Sequence, residues 1–573
     1  MYSDIKNVQI LISLLKEYNI KHLVLSPGNR NVPFVHSVEN DPFFECYSIV
    51  DERSAAFFAL GLIQELRKPV AVSCTSGTSI CNYTSAVSEA YYQKIPLVVI
   101  AADRNPYYLN QQENQMIPQK EILGSICKKS VQLPMIKNEK DFRYCQRLVN
   151  EALLEINHNG YGPVHINIPI EEEILSFSTK TLPNTRLIKR LVRSDSDILW
   201  MNKVEELKRS NRILIIYGQS ITLNSKERDI IEKFTEKYNC IIAVDHLSNL
   251  RCKGSVETFN ISRIISQDAF ENLLPEIVIT MNGNYVSYVR GLLKGYKGRF
   301  KHWIVSEDGL VADSLESLTD IIECSSSYFF EFFTENAGKN IKENIYYNEW
   351  AEMANNIEIP EFPYSDIYAV QKLMEKIPSN SLLHLANSSS VRLAQHFSLD
   401  GSITVYCNRG TNGIDGSMSS FIGQASVSNR LSFLLIGDLS FFYDMNAIWN
   451  RYAGNNIRIL LNNNAGAGIF HFNIGINKVS TLDKHTAVEH TAVAKGWVES
   501  MGFKYISARN KKEFDQNLPI FMDDTSDKPI IFEVFTNKEE DANILHNFYD
   551  INRSVKDKAI KVAKRAIKSI LNK

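Results

Sequence analysis

The sequence lacks the short signatures of the common nucleotide and zinc enzymes. There is no G-x-G-x-x-G, no G-x-x-x-x-G-K-[ST] and no H-E-x-x-H, and the small turn Ala465 to Gly468 is missing a third glycine. These absences weigh against nicotinamide, ATP and zinc-protease chemistry. The nine cysteines include no C-x-x-C pair and are odd in number, a pattern of reduced thiols expected in the cytoplasm. No apolar run approaches the ~18 residues of a membrane span. The formal net charge of −2 excludes nucleic-acid or membrane-surface binding that rests on bulk charge.

What is present is a globular chain. With 573 residues, of which 44% are hydrophobic and 22% charged, it has room for about three domains with ordinary cores. The first residues, MYSDIKNVQILISLLKEY, place Ile5, Val8, Leu11, Leu14 and Leu15 at helical spacing between charges. They read as the first amphipathic helix of a domain, not as a signal peptide. The Lys-rich stretch Ser554 to Lys573 reads as a helix with a solvated face.

Strand and helix patterns alternate along the chain. In the first part, short apolar runs at His22–Leu25, Val70–Ser73, Leu97–Ala101 and Val164–Ile168 predict buried strands. Helical patterns cover Glu52–Leu66, Ser79–Tyr91 and Phe142–Ile156. A second α/β part has strands at Ile213–Ile216, Ile241–Val244, Ile277–Thr280 and Trp303–Val305. The charged stretch Glu335 to Tyr364 reads as an irregular linker, and a third part ends with the strand Pro529–Phe535. The predicted fold is α/β, three consecutive doubly wound parallel-sheet domains, divided at 1–185, 186–345 and 346–573.

One stretch organises the rest. Leu431 to Ile436 predicts a buried strand that ends in Gly437-Asp438, followed by a helix from about Ser440 to Tyr452. A second strand, Ile457 to Leu461, stops at Asn462-Asn463-Asn464. Both turns then lie at the carboxyl ends of parallel strands, where open α/β sheets bind ligands. Asp and Asn oxygens on adjacent turns can share one hard cation, and Gly437 lets the backbone approach a phosphate at a helix start. The implied ligand is a magnesium-bridged diphosphate. Taken alone, Gly-Asp is an ordinary turn; a partner one βαβ unit downstream is what makes it a site. The pattern resembles the thiamine diphosphate fingerprint, in which Asn463 or Asn464 would be the metal ligand. Asn464 is favoured, together with the Gly466 carbonyl.

Other motifs extend the resemblance. SPGNR at 26–30, DERSAAFFALG at 51–61, TSGT at 75–78, ADRNP at 102–106, ENQ at 113–115, NSSSVR at 387–392, NRGTNGIDG at 408–416 and GDLSFFYD at 437–444 occur in family order. The chain resembles the 2-succinyl-5-enolpyruvyl-6-hydroxy-3-cyclohexene-1-carboxylate (SEPHCHC) synthase family of menaquinone biosynthesis, the MenD family. The resemblance covers the first and third parts, with DHLSNLR at 245–251 its clearest trace in the middle.

That resemblance implies a pyrimidine-binding domain, a central domain and a diphosphate-binding domain. It implies thiamine diphosphate with Mg²⁺ (or Mn²⁺) held by Asp438, Asn464 and Gly466. Glu52 would be the catalytic residue, hydrogen-bonded to the aminopyrimidine, and Ile414 the wedge that bends the cofactor. Thr78, Gly437, Leu439, Ser440 and Ile469 would complete the cofactor site. The substrate residues would be Asn29, Arg30, Arg104, Asn114, Gln115, Ser388, Arg392, Arg409 and Phe470. Arginine suits polycarboxylate substrates because it binds carboxylate bidentately; the family's are 2-oxoglutarate and isochorismate. A homodimer or homotetramer is expected, with no nucleic-acid or membrane partner. Three positions depart from the family pattern: Asn29 stands for a serine, the glycine-rich turn reads NNNAGAG, and Tyr288 stands for a lysine, with Arg290 as the nearby substitute. The alternatives are a related 2-oxo acid carboligase with another acceptor, or a non-catalytic paralogue.

Overall fold

In the computed structural model the described residues are 1–170, 175–188, 197–310, 312–339, 342–473 and 475–553. The expected helix at Ser554 to Lys573 lies outside them. The apolar runs become strands because their residues are buried on both faces, as a helix-covered parallel sheet requires.

The first sheet contains β1 (His22–Leu25), β2 (Glu45–Ser48), β3 (Val70–Cys74), β4 (Leu97–Asp103), β5 (Lys129–Gln132) and β6 (Val164–Pro169), in the order β2-β1-β3-β4-β6-β5. The second contains β7 (Ile213–Tyr217), β8 (Cys240–Val244), β9 (Ser255–Glu257), β10 (Ile277–Met281), β11 (Lys301–Val305) and β12 (Leu318–Ile322), in the order β12-β11-β10-β7-β8-β9. The third contains β13 (Leu382–Leu385), β14 (Thr404–Tyr406), β15 (Ser432–Gly437), β16 (Ile457–Asn463), β17 (Lys504–Ala508) and β18 (Ile530–Phe535), in the order β14-β13-β15-β16-β18-β17. All the pairings within these sheets are parallel. The first and third sheets therefore share one topology. Each reverses direction between its first and third strands, and that switch point opens a crevice at the carboxyl ends.

Two expectations fail. Helix Asp438–Tyr443 starts two residues early and stops at Asp444, giving way to a short 3₁₀ turn, Met445–Ile448. The reason is Asp444, whose buried carboxylate accepts from the Ser419 amide and hydroxyl at 2.7 Å each. The stretch 335–364 is not an irregular linker, because it contains helix Ile345–Asn355. Tyr346 and Trp350, one turn apart, bury themselves in the core beside the middle sheet. That helix belongs with the middle unit, which thus extends past residue 345.

Helix Glu52–Leu66 is capped by Asp51, whose side chain accepts from the Ser54 amide at 3.1 Å. It is apolar nearly all round because one side covers the first sheet and the other crosses helix Ser417–Ser426 of the third part. The crossing is close. A Cβ on Gly61 would stand 2.0 Å from the Ser420 carbonyl, and one on Gly423 2.3 Å from the Phe58 carbonyl. Backbone contact at that distance tolerates only glycine.

The middle sheet's own crevice is closed. The turns after β7 and β10 hydrogen-bond to each other, Gln219 to Asn284 and Gly283 to Gln219. Beyond them, Gln219 donates to the Cys407 carbonyl and Asn284 to the Arg409 carbonyl. Asn249, from the DHLSNLR motif, exchanges hydrogen bonds with Val405 in β14. The middle unit thus braces the third.

Glu89 holds the same loop from the first unit. Its carboxylate is 1% exposed and accepts from the Gly410 amide (2.8 Å), the Thr411 amide (2.7 Å) and the Thr411 hydroxyl (2.7 Å). Glu89→Ala removes the acceptor of those donors; exposed Thr411 can turn to water, so the expected loss of stability is about 1–3 kcal/mol by denaturant titration. No measurable loss would contradict the role given to this carboxylate.

Candidate active site

The pairing of β15 with β16 sets Gly437 opposite Asn462. Asp438, the first residue of its helix, is 3% exposed. One carboxylate oxygen accepts from the Leu439 amide (2.7 Å) and the other from the Gly466 amide (2.9 Å). His490 Nε2 lies 3.2 Å from the second oxygen, an ion-pair approach without hydrogen-bond alignment, and the Asp438 carboxylate holds the imidazole above its ordinary range. Ser440 donates through its hydroxyl to the Ile414 carbonyl, tying the wedge candidate to this turn. Ile414 itself is 40% exposed.

The three asparagines separate by pleat. Asn463 donates to Glu533 (2.7 Å) and to the Ala492 carbonyl (3.0 Å), and its oxygen accepts from the Ala465 amide. Its amide is therefore fully engaged on the far side of the sheet. Asn464 lines a cavity, while Asn462 has a buried oxygen with no partner. Gly466 has φ +145°, and a Cβ there would meet the Ala487 carbonyl at 2.6 Å. Its own carbonyl accepts from Gly468 and keeps a second lone pair.

These residues fit a divalent cation with a diphosphate. Asp438 is a buried carboxylate that accepts from two backbone amides and is approached by the His490 imidazole, and its oxygens suit a divalent cation. A Cβ on Gly437 would meet nothing within 4 Å, which leaves the backbone open to a phosphate.

A cavity of about 530 Å³, its open mouth included, adjoins the asparagine turn. Arg392, Ser389, Asn464, Ile469 and Phe472 line it from the third unit, and Arg263 and Tyr288 from the middle one. Ser388 has a strained φ of +72°, and its carbonyl accepts from Arg392 at 2.6 Å. Arg409 is buried and donates to Asn387 at 3.1 Å; burial, then the Arg392 charge, pull its guanidinium below the usual range. Phe470 is half-buried outside the cavity lining, where Phe472 stands instead. Arg290 is outside this cavity's lining, and its charged neighbour is Asp245, inside the middle unit.

In the first unit the residues sit on turns after β1, β2, β3 and β4. Arg30 is buried and donates to the Ile170 carbonyl at 3.0 Å; burial and the neighbouring Arg104 lower its pKa. Arg104 pairs with Glu113 at 3.2 Å. Glu52 is half-buried at its helix start, and burial, then its carboxylate, push the Cys74 thiol up. Next to it, Arg53 donates to the Tyr443 carbonyl and Asn446 to Asp51, at the far end of the Asp438 helix. Asn29, Thr78, Asn114 and Gln115 are exposed. The arginines thus form two pairs, Arg30 with Arg104 and Arg392 with Arg409.

Sequence reasoning missed His490, Arg263 and a buried acid pair on the cavity wall. Asp541 accepts from the Asp366 amide (3.0 Å) and the Thr536 hydroxyl (2.7 Å). Burial raises Asp366 well above the carboxylate range and Asp541 to about 6. None of these lies in a motif, and only the fold brings them to the site.

The fold and the Asp438 turn define a thiamine diphosphate enzyme. Residues 5–122 match the family described as "Thiamine pyrophosphate enzyme, N-terminal TPP binding domain". The chain is 42% identical over 566 residues to a 2-succinyl-5-enolpyruvyl-6-hydroxy-3-cyclohexene-1-carboxylate synthase of Bacteroides fragilis, covering 96% of this chain and 99% of the relative. Similar relatives with the same name come from Bacteroides thetaiotaomicron, at 41% over 556 residues, and Flavobacterium psychrophilum, at 34% over 563 residues, each again covering 96% of this chain and 99% of the relative. The chain belongs to the SEPHCHC synthase family of thiamine diphosphate-dependent transferases.

The two asparagines separate experimentally. Asn464→Ala is expected to weaken Mg²⁺-dependent thiamine diphosphate binding about tenfold or more, ~1.4 kcal/mol by calorimetry. Asn463→Ala should instead lower stability by about 1–3 kcal/mol, because Glu533 loses a buried partner. Loss of metal-dependent binding in folded Asn463→Ala protein would reverse the assignment.

Proposed function

We propose that this chain, with thiamine diphosphate and Mg²⁺, decarboxylates 2-oxoglutarate and transfers the remaining four-carbon unit to isochorismate in menaquinone biosynthesis. When bound, the cofactor supplies the means of cleaving the bond next to the 2-oxo group and of forming the new carbon–carbon bond. Asp438, Asn464 and the Gly466 carbonyl would hold the cation, and Gly437 and the helix start behind it the phosphates. Glu52 would hold the aminopyrimidine by a hydrogen bond at a ring nitrogen. The observation that carries the substrate reading is Arg392, placed in a cavity that Asn464 also lines. Among the described residues it forms no ion pair, so its guanidinium is available to a ligand carboxylate. Arg392 with Ser388 would hold the donor's distal carboxylate. Arg409 and Arg30 would stand near the acceptor's.

The site residues of the first unit support an assembly of two chains. Asn29, Thr78, Asn114 and Gln115 are exposed within one chain. A homodimer in which the first unit of one protomer faces the third unit of its partner would cover them. No helix among the described residues is long and apolar enough to cross a membrane. All nine cysteines are free, which suits the reducing cytoplasm.

A carboxylate–Arg bond is worth roughly 1.5–3 kcal/mol, so Arg392→Ala should lower kcat/KM for 2-oxoglutarate by about tenfold to a hundredfold. Pyruvate, without the distal carboxylate, should gain relative to it. A panel of 2-oxo acids, with and without isochorismate, tests both halves. Wild-type enzyme that decarboxylates pyruvate as well as 2-oxoglutarate would refute the donor. Consumption of 2-oxoglutarate without capture by isochorismate would point to a carboligase with another acceptor.

A further inference from the structure

We propose that Arg263, lying flat on the Tyr288 ring, binds one of the acceptor's two carboxylates in this cavity, facing the donor subsite at Arg392, in addition to the arginines named above. The assignment rests on the functional reading above and adds a specificity residue from the middle unit. Arg263 belongs to none of the motifs. Its helix, Phe259–Ile264, delivers the side chain to the cavity wall.

The guanidinium carbon is 3.3 Å from the Tyr288 ring centroid, and the rings of Phe259, Phe472 and Tyr549 follow at 5.6, 5.9 and 5.9 Å. Stacking of this kind occupies the face of a guanidinium and leaves the in-plane N–H edge for a coplanar carboxylate. Among the described residues Arg263 forms no ion pair, and its Nε is buried without a hydrogen-bond partner. The cation is therefore partly desolvated and unneutralised, and its orientation is fixed by aromatic rings. Burial, with the Arg392 charge adding repulsion, pulls it below the usual guanidinium range.

No carboxylate on the wall is ion-paired with it among the described residues. Asp541 accepts instead from the Asp366 backbone amide and the Thr536 hydroxyl. His396 is pulled down to about 3 by burial and is neutral. Arg263 and Arg392 are thus the two guanidinium groups on the wall, and neither forms an ion pair among the described residues. Tyr288, Phe472 and Tyr549 line the cavity with their rings, a surface that suits a flat unsaturated ring bearing the carboxylate better than a short aliphatic acid. Tyr288 supplies the platform and Arg263 the charge.

The test separates acceptor from donor. Wild type, Arg263→Ala and Arg263→Lys are compared for kcat and KM with isochorismate at saturating 2-oxoglutarate. KM for 2-oxoglutarate and single-turnover CO₂ release without acceptor are measured alongside. Arg263→Ala should lose about tenfold to a hundredfold in kcat/KM for isochorismate, and Arg263→Lys less, with donor KM and CO₂ release within about twofold of wild type. If Arg263→Ala does not fold, Tyr288→Leu carries the test, with a raised acceptor KM and an unchanged donor step expected. An unchanged acceptor KM, or an equal loss in the donor step, overturns the role of Arg263. Failure of the wild-type enzyme to capture isochorismate would overturn the functional reading instead, a result visible before any variant is made.

Discussion

The parallel pairing of β15 with β16 is the constraint on which the site depends. It places the two strand ends level, Gly437 opposite Asn462, and so brings the Asp438 carboxylate to the Gly466 amide. A slip of one residue would turn every side chain of β16 to the other face, sending Asn464 to the position where Asn463 meets Glu533. Parallel order also collects the turns after β13, β15 and β16 at one edge, so Ser388, Asp438 and Asn464 face the same crevice without being near in sequence. The first sheet repeats that order and presents Arg30, Glu52, Thr78 and Arg104 on the equivalent edge.

Loop Cys407–Gly416 is where the three units meet. Glu89 holds it from the first, Gln219 and Asn284 from the middle, and Asn387 from its own sheet. Arg409, on this loop, is held by a part-buried hydrogen bond from outside its own sheet, and Ile414 by the Ser440 hydroxyl of its own unit. This gives the middle unit a physical task. The crevice of its own sheet is closed by its own turns, and it contributes by bracing the third unit and lining the cavity with Tyr288 and Arg263.

Much of this was legible in the sequence. Strands buried on both faces announce themselves as short apolar runs, and helix Glu52–Leu66 appears with the bounds its pattern indicates. Asp438 and the asparagine run could be placed on adjacent turns because one helix and one strand separate them. The failures have physical causes. Asp444 ends its helix to satisfy Ser419, a partner 25 residues away. Helix Ile345–Asn355 looked irregular because Tyr346 and Trp350 are few among charges, although both are fully buried. Arg263 was invisible because its significance comes largely from rings distant in sequence, Tyr288, Phe472 and Tyr549, and sequence spacing contains no trace of that. The asparagine register was open for the same reason, since only the pleat shows which amide Glu533 engages.

Whether a working site needs two chains can be measured by mixing inactive variants. Glu52→Gln leaves Asp438 and its turn intact, and Asp438→Ala leaves Glu52 intact. Co-refolded in equal amounts, they should form hybrids in which one of the two sites has both residues, giving about a quarter of wild-type activity by random pairing in a C2 dimer. Activity no greater than the sum of the two variants alone, with hybrid dimers shown to be present, would place Glu52 and Asp438 in one chain and contradict the shared site.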